Sequence, residues 1–243
     1  MKKHKGLKLG VVAVLLLCGL CRAYAADFYH ADDTVVVAMN SDADVTVEQK
    51  GNTLAFIPEN AETGLIFYPG GKVEYTAYAP LMRALADNGV LGVLVRMPLN
   101  LAVLNMNAAN SIPEQYPQIK HWYIGGHSLG GSMAASHAAK NTSAYEGLVL
   151  LASYSTADLS TSGLPVISIY GSEDGVLNME KYQESIGLAV NCSEYVLEGG
   201  NHAGFGNYGP QKGDGETGIT DREQWQETID YIMDMIRQQQ GEM

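Results

Sequence analysis

The sequence predicts an α/β fold, with a mostly parallel central sheet flanked by helices on both faces. Near-continuous runs of leucine and β-branched residues, such as 90–95 and 166–170, are typical of strands buried on both sides, as in parallel sheets. Helical stretches separate these runs, and strands that alternate with helices favour a layered α/β architecture. Neither an internal repeat nor a proline-rich linker interrupts residues 26–243, which we therefore expect to form a single domain.

The first half of the chain begins with short strands. Three of them, mostly antiparallel, are predicted at 34–38, 45–48 and 54–57. The first fully apolar strand, 64–68, is ended by a Pro-Gly-Gly sequence. The elements that follow it are a helix at 77–88, a strand at 90–95 and a helix at 101–109. Gly89 closes the first of these helices.

The second half continues the alternation of strands and helices. Strands are predicted at 122–125, 148–151, 166–170 and 194–197. Helices are predicted at 132–140, 178–186 and 220 to about 239. Asn178 is a suitable N-cap for the second of these helices, and Thr220 with Glu223 forms a capping box at the start of the last one.

The pattern Gly126-x-Ser128-x-Gly130 carries the strongest functional signal. It lies between the strand at 122–125 and the alanine-rich helix at 132–140, and this order is that of a nucleophile elbow. The turn holds the serine in a strained backbone conformation that exposes its hydroxyl. Larger side chains two residues before and after would collide with the strand and the helix, so glycine is needed there. We therefore expect Ser128 to be a nucleophile.

Two further polar residues each follow a strand of the predicted sheet. Asp174 comes after the strand at 166–170, and His202 comes after the strand at 194–197. Because the carboxyl ends of parallel strands meet at one edge of the sheet, both should lie beside Ser128. His202 would take the serine proton as general base, and Asp174 would orient its imidazole. The alternative acids are Glu173 and Asp158.

In these motifs the sequence resembles the α/β-hydrolase superfamily, specifically its small lidless members near the dienelactone hydrolase and carboxylesterase branch. The resemblance extends from about residue 64 to the C-terminus. It rests on four motifs in order: Tyr68-Pro69-Gly70-Gly71, Gly126-His127-Ser128-Leu129-Gly130, Gly171-Ser172-Glu173-Asp174 and Gly200-Asn201-His202. It implies an α/β-hydrolase fold and an esterase activity carried by Ser128, Asp174 and His202. Dienelactone hydrolases use a cysteine nucleophile, whereas this chain has Ser128 at that position.

The resemblance also implies an oxyanion hole. One donor would be the backbone N–H of Leu129, directly after the nucleophile, helped by the N-terminus of the following helix. The second would come from the loop after the strand at 64–68, with the amides of Gly71 and Lys72 as alternatives.

A lid usually enters α/β-hydrolases between the strands that are predicted here at 148–151 and 166–170. Only about a dozen residues separate these two strands. We therefore expect no sizeable lid domain, and a shallow, open site that suits small or accessible esters.

Other chemically capable side chains are expected to be structural. Three histidines are assigned to such positions: His127 in the elbow, His137 on a helix face and His121 at a strand entry. Three more side chains are expected in the core, with pocket lining as the alternative: Tyr75, Tyr78 and Met106. The glycine-rich loop at 204–218 has too few carboxylates for a calcium site and is expected near the mouth of the active site.

Residues 1–25 have the pattern of a secretory signal peptide. A lysine-rich start precedes an apolar stretch of about a dozen residues and the small-x-small sequence Ala23-Tyr24-Ala25. As a helix the apolar stretch would span roughly 18 Å, short of the ~30 Å hydrocarbon core of a bilayer. Cleavage is therefore favoured, with an uncleaved N-terminal membrane anchor as the alternative. We expect an exported protein, secreted or associated with the cell envelope.

Composition and charge narrow the class of protein. The chain is 46% hydrophobic and only 17% charged, which indicates a globular protein. Residues 26–243 hold 10 basic and 27 acidic residues, a net charge of about −17, which disfavours nucleic acid and anionic membranes as partners. Cys192 is the one cysteine in this range, so it has no partner for an intramolecular disulfide and is expected at a strand edge or in the core.

Together these observations predict a serine hydrolase that cleaves a carboxylic ester, or a related acyl bond, of a small molecule. The reaction would pass through an acyl-enzyme on Ser128, with no cofactor and no metal. A peptidase or an acyltransferase would use the same three residues and is an alternative. The other alternative is a non-catalytic cell-envelope binding protein that keeps the fold as a scaffold.

Overall fold

The fold is taken from a computed structural model, which describes residues 26–189 and 191–241. The predicted signal segment, 1–25, lies outside the described residues.

One sheet of eight strands forms the centre of the molecule. In spatial order the strands run β1-β2-β4-β3-β5-β6-β7-β8. Their bounds are β1 Val45–Lys50, β2 Thr53–Pro58, β3 Thr63–Tyr68, β4 Val90–Val95, β5 His121–His127, β6 Gly147–Leu151, β7 Val166–Gly171 and β8 Cys192–Leu197. All pairings from β4 to β8 are parallel, whereas β2 pairs antiparallel with both β1 and β4. The prediction of a mostly parallel sheet with antiparallel early strands is confirmed.

Helices cover both faces of the sheet. Their bounds are α1 Val35–Ala38, α2 Ala79–Asp87, α3 Leu129–Ala138, α4 Met179–Ile186 and α5 Asp221–Gln240. Because side chains alternate along a strand, β3 sends Leu65 and Phe67 into one apolar cluster, with residues of α2 and α5. Ile66 and Tyr68 enter the opposite cluster, with alanines of α3. The predicted layered α/β architecture is therefore confirmed.

The predicted helix caps are present. The Asn178 side chain accepts a hydrogen bond from the N–H of Lys181 at 2.9 Å and begins α4. Thr220 and Glu223 bond reciprocally at the start of α5, as a capping box does. The helix predicted at 77–88 begins as a 3-10 turn and becomes α-helical at Ala79.

The strand predicted at 34–38 is wrong, because Val35–Ala38 forms the short helix α1. The Asp32 carboxylate accepts hydrogen bonds from both the N–H and the hydroxyl of Thr34, at 2.9 and 2.6 Å, and so starts a helical turn. Val36 and Val37 are 55% and 75% exposed. No neighbouring strand pairs with this segment among the described residues, so its β-branched side chains have no pleated surface to pack on.

The α-helix predicted at 101–109 is also wrong, because the segment forms two 3-10 turns, Ala102–Asn105 and Ala108–Ser111. The buried hydroxyl of Tyr68 donates to the carbonyl of Met106 and accepts from the N–H of Ala109, both at 2.9 Å. In an α-helix over 101–109 the N–H of Ala109 would donate to the carbonyl of Asn105, whereas the carbonyl of Met106 would have no partner within the helix. The hydroxyl of Tyr68 bonds to both groups instead.

The segment between β6 and β7, residues 152–165, contains neither a helix nor a strand. The expected absence of a sizeable lid domain is confirmed for this stretch.

Candidate active site

Ser128 occupies the turn between β5 and α3. Its φ of 51° and ψ of −124° lie in a region that a non-glycine residue adopts only under strain. A Cβ atom on Gly126 would lie 2.5 Å from the Tyr68 carbonyl oxygen, and one on Gly130 would collide with the same oxygen. Both positions therefore require glycine, and the strand, strained serine and helix follow one another as the sequence predicts.

Two hydrogen bonds hold this turn. The N–H of Ser128 donates to the carbonyl of Leu151 at 2.9 Å, which continues the pairing of β5 with β6. The hydroxyl of Ser153, a buried residue, donates to the carbonyl of Ser128 at 2.7 Å. Sequence reasoning missed Ser153, because its contact is with a main-chain carbonyl, which every residue has.

Asp174 and His202 are brought together by the loops that follow β7 and β8. The Nδ1 atom of His202 lies 2.9 Å from Oδ2 of Asp174, and both side chains are only 2% exposed. The other oxygen of Asp174 accepts the N–H groups of Val176 and Leu177, each at 2.8 Å.

The alternative acids lie elsewhere. The Glu173 carboxylate accepts from the Ser172 hydroxyl, and that of Asp158 accepts from the N–H of Ser160. Among the candidate acids it is Asp174 whose carboxylate contacts His202 in the part of the chain that the structure describes.

Ser128 and His202 line one cavity of about 200 Å³. Its wall is part apolar and part polar, and its other lining residues are Leu129, Ser132, Ala152, Ser153, Tyr154, Val176, Leu177 and Asn178. Ser128, in the strained turn, and His202, in the buried pair with Asp174, are therefore exposed to the same cavity.

The residues proposed for an oxyanion hole lie at the start of α3, where Leu129 is the first residue, and on the loop after β3, which carries Gly71 and Lys72. Gly71 is packed against Leu129, since a Cβ atom on Gly71 would lie 2.9 Å from Cδ2 of Leu129. The N–H of Lys72, in contrast, donates to the carbonyl of Asn100 at 2.8 Å. Of the two alternatives left by the sequence, the Lys72 amide is thus already engaged in a main-chain hydrogen bond.

A buried pair of side chains supports the same loop. The hydroxyl of Tyr78 accepts the N–H of Gly70 at 3.1 Å and lies within hydrogen-bond distance of Nδ1 of His127, at 2.8 Å. Burial and the nearby charge of His202 hold the pKa of His127 well below its ordinary value. His127 fills the elbow and Tyr78 lies in the core, as expected, and the structure adds their link to Gly70.

The other singled-out histidines and the cysteine have structural surroundings. His121 begins β5, with Nδ1 2.7 Å from the Glu146 carboxylate, so its prediction at a strand entry is confirmed. His137 is on α3 but is buried, with Nε2 2.9 Å from the Tyr145 hydroxyl, and burial lowers its pKa. Cys192 is the first residue of β8, and burial raises the pKa of its thiol to about 11.

The loop at 204–218, expected near the mouth of the active site, contacts the backbone around His202 through Asp214, and none of its residues lines the cavity. The carboxylate of Asp214 accepts the backbone N–H groups of Gly175, His202 and Ala203, at 3.1, 3.1 and 2.8 Å. The sequence gives no signal for these contacts, because the donors belong to the backbone.

Neither a metal cluster nor a membrane-spanning helix is found in the residues that the structure describes. No group of three or more histidine, cysteine, aspartate or glutamate side chains in 26–189 and 191–241 is arranged to hold a metal ion. Within the same ranges, no helix is both long and apolar enough to cross a bilayer.

Several solved structures share this fold at low sequence identity. A dienelactone hydrolase from Anabaena variabilis is 12% identical with a TM-score of 0.59, and the match covers 79% of this chain and 98% of that one. The protein Est1E from Butyrivibrio proteoclasticus is 13% identical with a TM-score of 0.57, over 80% and 99% of the two chains. A thermostable esterase from Pseudomonas putida is 16% identical with a TM-score of 0.53, over 71% and 80%. At these identities the likeness establishes the fold. No curated protein sequence matches the chain significantly.

The family comparison covers the part of the chain that builds the site. The pattern of the alpha/beta hydrolase family matches residues 64–226, which is more than half of the chain. This span begins in β3, continues through the strained turn at Ser128 and ends in α5, beyond the buried pair of Asp174 and His202. The chain therefore belongs to the alpha/beta hydrolase family.

Proposed function

We propose that this protein is a serine hydrolase that cleaves a carboxylic ester through an acyl-enzyme intermediate on Ser128. The observation that carries the proposal is the buried pair of His202 and Asp174, whose histidine lines the same cavity as the strained serine. A dienelactone hydrolase and a thermostable esterase are among the structures of the same fold, so this scaffold is compatible with ester hydrolysis.

Each of the three residues has a distinct task in the proposed reaction. The Ser128 oxygen attacks the ester carbonyl carbon while Nε2 of His202 takes the hydroxyl proton. The tetrahedral intermediate collapses, and the same proton passes to the departing alkoxide. A water molecule then attacks the acyl-enzyme, again deprotonated by His202, and releases the carboxylic acid and free Ser128. Asp174 accepts a hydrogen bond from the Nδ1–H of His202 throughout and stabilises the imidazolium that forms.

The developing oxyanion needs backbone donors. We assign these to the N–H of Leu129 and the N–H of Gly71, because the two residues are in contact across the loops that carry them. The Lys72 amide is excluded from this role by its hydrogen bond to Asn100. Leu129 is also the first residue of α3, so the positive end of the helix dipole adds to the stabilisation.

The size of the cavity favours a small substrate. About 200 Å³ lies below the 300–1,000 Å³ range that is usual for pockets which enclose drug-sized ligands. Leu129, Val176 and Leu177 offer an apolar contact for a short acyl or alkyl group. We therefore propose esters of short-chain acids or alcohols as the substrate class.

Labelling with a fluorophosphonate tests the proposal directly. The probe should react with Ser128 in the wild-type protein, and Ser128→Ala should abolish labelling and lower p-nitrophenyl acetate hydrolysis by about 10⁵-fold or more. Ser136→Ala is the matched control: this serine is on α3, the helix that follows Ser128, and its hydroxyl bonds to the Ser132 carbonyl, outside the cavity. It should label and turn over like wild type. A folded wild-type protein that does not react would favour the non-catalytic binding protein.

A further inference from the structure

One carboxylate outside the proposed catalytic triad collects an unusual number of backbone donors. Oδ1 of Asp214 accepts the N–H groups of Gly175, His202 and its neighbour Gly215, at 3.1, 3.1 and 2.9 Å. Oδ2 accepts the N–H of Ala203 at 2.8 Å. Four N–H groups therefore converge on a single half-buried side chain.

Three of these donors, the N–H groups of Gly175, His202 and Ala203, belong to the two loops that carry the acid and the base. Gly175 directly follows Asp174, and the His202 N–H is that of the histidine itself. The side chain of Asp214 thus connects the loop after β7 to the loop after β8. Because main-chain donors from both loops meet on this one side chain, Asp214 restrains the two loops together.

The loop that carries Asp214 is itself tied back to the histidine loop. The amide nitrogen of Asn201 donates to the carbonyl of Gly215 at 2.9 Å. The acid loop and the histidine loop are also joined directly by a main-chain hydrogen bond, from the N–H of Glu173 to the carbonyl of Gly200 at 2.8 Å. The three loops therefore form one hydrogen-bonded unit, with Asp214 as the side chain shared by all of them.

We propose that Asp214 is a positioning residue that sets the hydrogen bond between Asp174 and His202. It touches neither the cavity nor the reacting serine, and it acts by fixing the backbone on both sides of the catalytic pair. The inference rests on the proposed function, because its catalytic consequence requires His202 to act as the base. Its structural part, the geometry of the Asp174–His202 pair, does not require any activity.

The chemistry of the side chain explains why an aspartate is needed. Both oxygens of a carboxylate accept hydrogen bonds, whereas an asparagine of the same shape has one oxygen and one NH₂ group. In Asp214→Asn the amide oxygen can still serve the donors at Oδ1. The NH₂ group then faces the N–H of Ala203, which is also a donor, so the hydrogen bond from Ala203, the residue after His202, is lost.

The test compares Asp214→Asn with Asp42→Asn in the full chain. Asp42 is a matched control, because its carboxylate also accepts backbone N–H groups, those of Asp44 and Val45, and its remaining partner is Arg83. The catalytic readouts are kcat per site titrated with fluorophosphonate, which corrects for unfolded protein, and KM. The second readout is the proton NMR resonance of the His202 Nδ1–H, assigned by its loss in Asp174→Ala.

We expect Asp214→Asn to lower kcat per titrated site about ten- to a hundredfold with KM within about twofold, and to shift or broaden the Nδ1–H resonance. Asp42→Asn should leave all three unchanged. An Asp214→Asn protein whose kcat per site and resonance both match wild type would overturn the inference while the proposed esterase stands. If the wild-type protein is inactive, the resonance alone decides: a change supports the positioning role, and an unchanged signal overturns it.

Discussion

The carboxylate of Asp174 divides its two oxygens between its own loop and His202. Oδ2 lies 2.9 Å from the imidazole Nδ1, while Oδ1 accepts two consecutive backbone N–H groups at 2.8 Å each. The two loop bonds hold the Asp174 carboxylate in place independently of the imidazole. Both side chains of the pair are only 2% exposed, so water has little access to them. A proton held on Nδ1 leaves Nε2 of His202 unprotonated, as its proposed role as general base requires.

Replacing Asp174 by asparagine should separate this electronic role from the structural one. The amide oxygen can keep the two loop bonds, but the NH₂ group would face Nδ1 and force the imidazole proton onto Nε2. We expect kcat for p-nitrophenyl acetate to fall about 10⁴-fold, as in Ser-His-Asp enzymes, with little change in thermal unfolding. Asp158→Asn is the control, because this side chain bonds to Ser160 and not to His202. If kcat fell more in Asp158→Asn than in Asp174→Asn, Asp174 would not be the acid that orients His202.

The sequence identifies those parts of the fold and site that depend on local pattern or on steric exclusion. Apolar runs place the buried strands to within a few residues, and β4 forms at the predicted positions, Val90–Val95. The requirement for glycine at Gly126 and Gly130 follows from the crowding of any sharp strand-to-helix turn, and the structure confirms it. That Asp174 and His202 lie close together follows from parallel strands presenting their carboxyl ends at one edge, and their side chains are in contact.

Contacts between a distant side chain and the backbone are not visible in the sequence. The helical pattern at 101–109 is overridden by the hydroxyl of Tyr68, which lies in another strand. The bonds of Ser153 and Asp214 are equally hidden, since their partners are carbonyl and N–H groups common to every residue. Such contacts depend on how loops meet in space.

The hydroxyl of Tyr78 offers a test of the loop that precedes Gly71. Tyr78→Phe leaves the N–H of Gly70 and the buried Nδ1 of His127 without this partner, which should cost about 1–3 kcal/mol of unfolding free energy. Because the loop carries a proposed oxyanion donor, we also expect kcat to fall about tenfold with KM nearly unchanged.

The control for this variant is Tyr182→Phe. The hydroxyl of Tyr182 is also in the interior and bonds to Ser168 and Glu194, away from the cavity. It should destabilise the protein to a comparable extent without lowering kcat per titrated site. Equal losses of kcat in the two variants would mean that Tyr78 acts only through global stability.

Buried histidines should make the protein less stable in acid. Burial holds the pKa of both His127 and His137 below the ordinary value of about 6.5, so below that pH the unfolded chain binds protons that the folded chain excludes. Stability is then complete above about pH 6.5 and falls as the pH drops, by up to about 1.4 kcal/mol per pH unit for each histidine.

His137→Gln tests this linkage because glutamine does not titrate. Urea unfolding between pH 7.5 and pH 5 should show a shallower loss of stability in the variant than in wild type. Between pH 7.5 and 8.5, where the imidazole is neutral in both states, the two curves should run parallel and serve as the internal control. An identical slope below pH 6.5 would show that the folded protein accepts the proton on His137 as readily as the unfolded chain.

The cavity wall predicts how substrate preference should change. Val176 lines the cavity two residues after Asp174 and is only partly buried, so Val176→Ala should enlarge the space with a modest effect on stability. Hydrophobic pockets discriminate by about tenfold or more for each methylene that does not fit. We therefore expect the ratio of kcat/KM for p-nitrophenyl hexanoate to that for the acetate to rise about tenfold. Val196→Ala is the control, because that valine is 48% exposed on β8 and outside the cavity. A ratio that changes equally in both variants, or in neither, would remove Val176 from the acyl-binding wall.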